Sequence, residues 1–231
     1  MTRSGRPTAR RVVFGFAREG KSGIFSVPAD GSGKPELLLA TDKRPVPTSF
    51  TPDGKTVVFT QPGPDQKARI LTIQASAGGN QQQPRPLHDT SFPEFGGQVS
   101  PDGKWIAYQS LESGTMDVYV QPFPGPGAKV RISIQGGSWP RWSRNGRELF
   151  YWEGAAPTSR LMSVEAQTTP TFKAGSPQVL FSMLSGTTWD VAPDGKRFLV
   201  ELTRLGDAGS SKMAAVTDWF DELRRRAPAR K

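Results

Sequence analysis

Residues 15–22 read Gly-Phe-Ala-Arg-Glu-Gly-Lys-Ser, which satisfies the G-x-x-x-x-G-K-[ST] spacing of a phosphate cradle. Such a cradle works through backbone N–H groups at the start of a helix that follows the lysine. Here Lys21 and Ser22 lead into Gly-Ile-Phe-Ser-Val-Pro, an extended apolar run that ends at Pro28. No later apolar run ends in an aspartate of the Walker B kind. Residues 23–28 also align with residues 114–120 further along, so residues 15–22 are expected to form a loop between two strands and to bind no nucleotide. Other chemistry is scarce. There is no cysteine, hence no thiolate nucleophile, thiolate metal site or disulfide, and His88 is the single histidine. A G-x-S-x-G nucleophile elbow is absent, as are the kinase motifs H-R-D and D-F-G. Asp53, Asp102 and Asp194 could be read as metal ligands. Each, however, precedes a glycine in a turn whose backbone its carboxylate can accept from, and Asn145 stands at the fourth equivalent place. No catalytic residue, no metal and no cofactor is expected, and His88 reads as an ordinary surface residue.

The elements that must carry these residues are short strands. Glycine (25) and proline (21) punctuate 231 residues of which 10% are aromatic, a mixture that favours many strands and tight turns over helices or disorder. The net charge of +9 is concentrated at the ends: residues 1–11 contribute +4 and residues 221–231 contribute +3, leaving the body nearly neutral. The ends therefore read as solvated tails, and nucleic acid is not the expected partner. The apolar run behind the basic N-terminus is three residues long, too short for a secretory or membrane segment.

A motif repeats. Thr-Pro-Asp-Gly-Lys at 51–55 returns as Ser-Pro-Asp-Gly-Lys at 100–104, Ser-Arg-Asn-Gly-Arg at 143–147 and Ala-Pro-Asp-Gly-Lys at 192–196, with glycines 49, 43 and 49 residues apart. A degenerate fifth copy fits residues 7–14. The turn pairs Asp53-Gly54, Asp102-Gly103, Asn145-Gly146 and Asp194-Gly195 suggest hairpins of type I′, with positive φ at both residues. The strand after each is continuously apolar (Val57-Val58-Phe59; Ile106-Ala107-Tyr108; Leu149-Phe150-Tyr151), as befits a strand buried on both faces. Two further strands complete each unit. Four strands in about 45 residues, repeated, is the size of a propeller blade. The expected fold is thus all-β, a β-propeller with five recognisable blades at 11–42, 45–90, 93–135, 137–183 and 187–217. A basic tail at 1–10 precedes them, and a short helix with a basic tail at 218–231 follows.

The pattern W-S-P-D-G-K-x-I-A-F followed by I-Y-V resembles the WD-like repeats of TolB-type propellers, most clearly over residues 99–120 and 139–164. Residues 137–151, 190–200 and 216–223 are similar to the C-terminal propellers of bacterial serine/threonine kinases, although that family usually has asparagine where Asp218 stands. The resemblance covers residues 11–223. It implies a six-bladed ring, of which this chain would be the C-terminal part, with upstream blades or a partner completing it. It also implies an extracytoplasmic site if the parent is a membrane kinase.

In such a ring the channel is lined by the innermost strand of each blade. The residues five before each motif glycine, Ser49, Gln98, Arg141 and Asp190, vary while their neighbours repeat, so they are the candidate ligand contacts; Arg141 and Asp190 could instead pair with each other. Trp105, Trp139, Trp142 and Trp189 should be inter-blade core, with Trp139 and Trp189 alternatively at the channel mouth. The expected function is a non-catalytic platform that binds or senses a protein, peptide or small ligand. The alternative is an accessory propeller that gates substrates for a prolyl-oligopeptidase-like hydrolase.

Overall fold

The computed structural model describes residues 11–18, 21–76, 82–154, 159–183, 189–203 and 211–216. All regular structure among them is β-strand. Strands β1 (Arg11–Arg18), β2 (Lys21–Pro28) and β3 (Glu36–Thr41) form a three-stranded antiparallel sheet. A second sheet holds β4 (Val46–Phe50), β5 (Thr56–Pro62), β6 (Ala68–Gln74) and β7 (Arg85–Pro86). A third holds β8 (Glu94–Val99), β9 (Trp105–Ser110), β10 (Asp117–Pro122) and β11 (Val130–Arg131). The fourth runs β12 (Ser138–Trp142), β13 (Glu148–Glu153) and β14 (Ser159–Gln167), with β15 (Lys173–Ala174) and β16 (Gln178–Met183) both pairing β14. The last holds β17 (Trp189–Val191), β18 (Phe198–Thr203) and β19 (Ser211–Val216). The short helix expected after residue 217 lies outside the described residues. No helix of the described chain is long and apolar enough to cross a membrane.

The chain divides into two compact units, residues 1–97 and 98–231. In the first, Ile24 and Leu39 from the first sheet meet Val57, Phe59 and Ile73 from the second in one buried cluster. The opposite face of the first sheet is partly open: Val12 is 50% and Phe16 44% exposed, and Phe25 stacks on Phe14 at 5.9 Å and meets Phe16 edge-on at 6.1 Å.

In the second unit the middle strand β13 shows why its sequence is apolar without alternation. Leu149 and Tyr151 enter a cluster with Ala107, Val118, Val120 and Trp142, whereas Phe150 and Trp152 enter another with Trp189, Phe198 and Val200. Successive side chains of a strand point to opposite faces. The fourth sheet is therefore covered by the third on one side and by the fifth on the other.

The repeated turns depart from type I′. Positive φ occurs at Gly54, Gly103, Gly146 and Gly195 but not at the Asp or Asn before them. In three of the four, proline at the first central position (Arg144 in the other) fixes φ near −65°, which suits a type I turn followed by a left-handed glycine. The glycine N–H closes on the residue three before it, at 2.8 Å for Gly54 to Thr51 and 2.9 Å for Gly146 to Ser143. The side chains then lock the loop. Asp102 accepts from Ser100 Oγ at 2.6 Å and from the Lys104 N–H at 3.1 Å, and Ser100 Oγ in turn accepts from the Trp105 N–H at 3.0 Å. Thr51 with Asp53 and Ser143 with Asn145 repeat the arrangement. The hydroxyl three residues before the glycine was not singled out by sequence reasoning, although its recurrence is visible there. In the last turn Ala192 takes its place. Ser100→Ala is expected to cost about 1 kcal/mol and Ala192→Ser to gain roughly 0.5 kcal/mol, measured as shifts in urea-unfolding midpoints at constant slope.

The described residues of the 15–22 segment, 15–18 and 21–22, lie in strands rather than in a loop. Gly15 lies inside β1 and Lys21 opens β2. Register pairs Phe16 with Gly23, and the apolar alternation continues well past the point where a phosphate loop would begin.

Candidate functional site

The first strand of each of the last four sheets carries one of the four variable residues. In the first unit Ser49 sits on β4, half-buried, opposite Val58. In the second unit Gln98, Arg141 and Asp190 come from β8, β12 and β17. The indole of Trp142, next to Arg141 in sequence, donates from Nε1 to the Gln98 carbonyl at 3.0 Å.

Arg141 is half-buried and lies with its guanidinium over the Trp189 ring, 5.8 Å from the centroid. Nη1 donates to the Pro140 carbonyl at 2.9 Å. Burial holds its pKa below the ordinary arginine value, and the Asp190 carboxylate offsets this in part. The two residues do not form the ion pair that their sequence positions suggested. Asp190 is exposed and its Oδ1 accepts from the Val191 N–H at 2.9 Å, which turns the carboxylate toward its own backbone.

The surface under Arg141 is rigid. Trp189 is 3% exposed and belongs to the core, so it does not line a channel mouth. It packs edge-on against Trp152 at 5.9 Å, and its Nε1 donates to the Trp139 carbonyl at 3.2 Å. Trp139 has φ of 54°, a left-handed conformation that costs energy for a bulky side chain. A bulge between Ser138 and Arg141 accommodates it, and buried Gln109 accepts from its N–H at 2.5 Å. Sequence reasoning did not find Gln109, because nothing in the local pattern marks a glutamine that reaches across to a neighbouring sheet.

The architecture has close structural relatives. A TolB structure from Acinetobacter baumannii superposes with a TM-score of 0.70 at 17% identity over 90% of this chain and 49% of its own. The fold is a TolB-like β-propeller. A TolB structure from Agrobacterium tumefaciens gives 0.62 at 22% identity over 76% of this chain and 62% of that one. A nidogen/laminin complex structure gives 0.61 at 13% identity, covering 87% and 77%. At these identities the likeness is one of fold. This chain spans about half to three-fifths of the two TolB chains. No family model matches the sequence, and no curated relative matches it.

Two other polar sites lie apart from the Arg141 region. His88 is not an ordinary surface residue: its Nε2 lies 2.8 Å from Oε1 of Glu94, which is 2% exposed. The imidazole is thus the neighbour that a buried carboxylate requires. In the second unit an open cavity of about 810 Å³ is lined by Asn145, Arg147, Glu148, Glu165, Thr168 and Lys173, among others. Glu148 and Glu165 face each other directly across β13 and β14. Burial, and then the Glu165 charge, push the Glu148 carboxyl above its ordinary value. Among the described residues no three His, Asp or Glu side chains gather as a metal set.

The like-charged pair yields a prediction. Glu165→Gln is expected to stabilise the protein by roughly 0.5 kcal/mol at pH 7. A raised folded pKa means that wild-type stability falls as pH rises through the Glu148 titration. The gain from the variant should therefore shrink as pH is lowered through that range, where protonation of Glu148 removes the same repulsion. Paired urea titrations at pH 7 and pH 4 check this.

Proposed function

We propose that this chain is a non-catalytic binding platform for a protein or peptide, read out by Gln98, Arg141 and Asp190 of the second unit. The observation that carries the reading is Arg141. It is a half-buried cation that, among the described residues, spends one N–H donor, and it lies over a buried aromatic ring at a position that varies while the scaffold around it repeats. Rigid scaffolds that present variable polar groups are the usual basis of recognition. Gln98 and Asp190 flank it on the neighbouring strands; Ser49 holds the equivalent position in the first unit.

The experiment is a peptide-library selection against the full chain, followed by affinity measurement on a triple variant, Gln98→Ala with Arg141→Ala and Asp190→Ala. At least tenfold weaker binding of the selected peptides supports the reading, whereas equal affinity for the folded triple variant removes it. A role as the sensor end of a serine/threonine kinase is supported only by the sequence likeness over residues 137–151 and 190–200. The reading frame upstream of Met1 tests it, through the presence or absence of kinase motifs and a membrane span.

A further inference from the structure

We infer that the Arg141 site recognises a carboxylate group of a peptide, a C-terminus or an Asp or Glu side chain; this rests on the platform reading and names its ligand chemistry.

The donors come first. A guanidinium has five N–H donors in a planar fork that matches the two oxygens of a carboxylate. Among the described residues Arg141 spends only Nη1, on the carbonyl of the preceding residue. The guanidinium carbon lies over the Trp189 ring, 5.8 Å from its centroid, and Trp189 is itself held by its bond to Trp139 and by its packing among Trp152 and Phe198. The bond and the ring contact restrict the side chain before binding, which lowers the entropy lost when a small group is held by few bonds.

Charge then selects among oxyanions. Among the described residues the charged group that acts on Arg141 is Asp190, and it is negative. A dianionic phosphate would meet a single cation beside a carboxylate, leaving it under-compensated. A carboxylate carries one charge and is balanced by one arginine. Asp190 would still repel it weakly, so the aspartate acts as a brake on affinity rather than as a ligand. The partial burial of Arg141 strengthens any hydrogen bond made there, since water competes less.

The test uses four probes on the full chain in 150 mM salt: N-acetyl-triglycine, its C-terminal amide, N-acetyl-Gly-Glu-Gly amide and inorganic phosphate. Binding is followed by tryptophan fluorescence and calorimetry. The two carboxylate peptides are expected to bind roughly tenfold or more tightly than the amide, the range of a charged hydrogen bond. Arg141→Gln should abolish the preference. Arg141→Lys, which keeps the charge and loses the fork, should weaken it, and Asp190→Asn should tighten carboxylate binding about two- to fivefold. Arg144→Gln, which removes an exposed arginine, should leave it unchanged. Should Arg141→Gln fail to fold, the Arg141→Lys and Asp190→Asn shifts decide.

Equal affinity for acid and amide, no binding of either, tighter binding of phosphate than of carboxylate, or a preference that survives in folded Arg141→Gln would each overturn the inference. Peptides from the library selection that bind through Gln98, Arg141 and Asp190 without any carboxylate would overturn it too, while leaving the platform reading in place.

Discussion

Replacing Asp117 by alanine is expected to lower the unfolding free energy by about 3–5 kcal/mol, the cost of breaking a buried charged network by removing one member. Asp117 opens β10 and is fully buried. It accepts from Ser113 Oγ at 2.5 Å, Thr115 Oγ1 at 3.1 Å, Ser133 Oγ at 2.5 Å and Arg131 Nη2 at 3.0 Å. Burial opposes the charge most strongly, yet these four partners together hold the carboxyl below the ordinary aspartate range. Alanine would strand Ser133, itself buried, and release Arg131. Asp117→Asn keeps the shape and loses the charge, so its effect should fall between wild type and alanine. A depressed folded pKa places the stabilisation above the unfolded aspartate value of about 3.9 and removes it as pH falls through the lower folded value. The difference between wild type and Asp117→Asn should therefore be full at pH 6 and narrow below about pH 4, a profile that denaturant titrations resolve.

Trp189→Ala should cost about 3–5 kcal/mol as well, the range for truncating a buried aromatic. Its ring meets Trp152 and Phe198, and Phe198 in turn meets Phe150 edge-on at 5.2 Å and Phe181 at 5.8 Å. The cavity would open between the fourth and fifth sheets, so the near-ultraviolet signal of the aromatic cluster should be lost while most strand content remains. Trp189→Phe should recover more than half of the stability. An effect below 1 kcal/mol for the alanine variant would mean that the fifth sheet contributes little to the second unit.

Much of the scaffold was legible because it rests on local rules. The runs at Val57, Ile106 and Leu149 are apolar without alternation, and such strands must be covered on both sides. The turn glycines mark positive φ whatever the turn type. What went unread depended on partners distant in sequence. Arg141 and Asp190 looked like a pair from their place on adjacent strands; only coordinates show the guanidinium over Trp189 and the carboxylate turned to the Val191 N–H. His88 gave no sign of Glu94, because a loop intervenes and no periodicity links them. The turn type was misread because Asp-Gly alone suggests type I′, whereas the proline before it forbids positive φ at the first central position.

Strand order within the sheets bears on how the chain acquires its structure. In four of the five sheets every strand bonds the strand next to it in sequence, and each repeated turn is closed by bonds spanning no more than five residues. Little loop entropy has to be lost before the first contacts form, so folding should be fast for an all-β protein and should start at any hairpin. During synthesis a sheet can pair as soon as its last strand leaves the ribosome. Its apolar faces, however, stay wet until the next sheet arrives. The hazard in such a sequence of events is concentrated at the growing end, where a finished sheet waits for its neighbour.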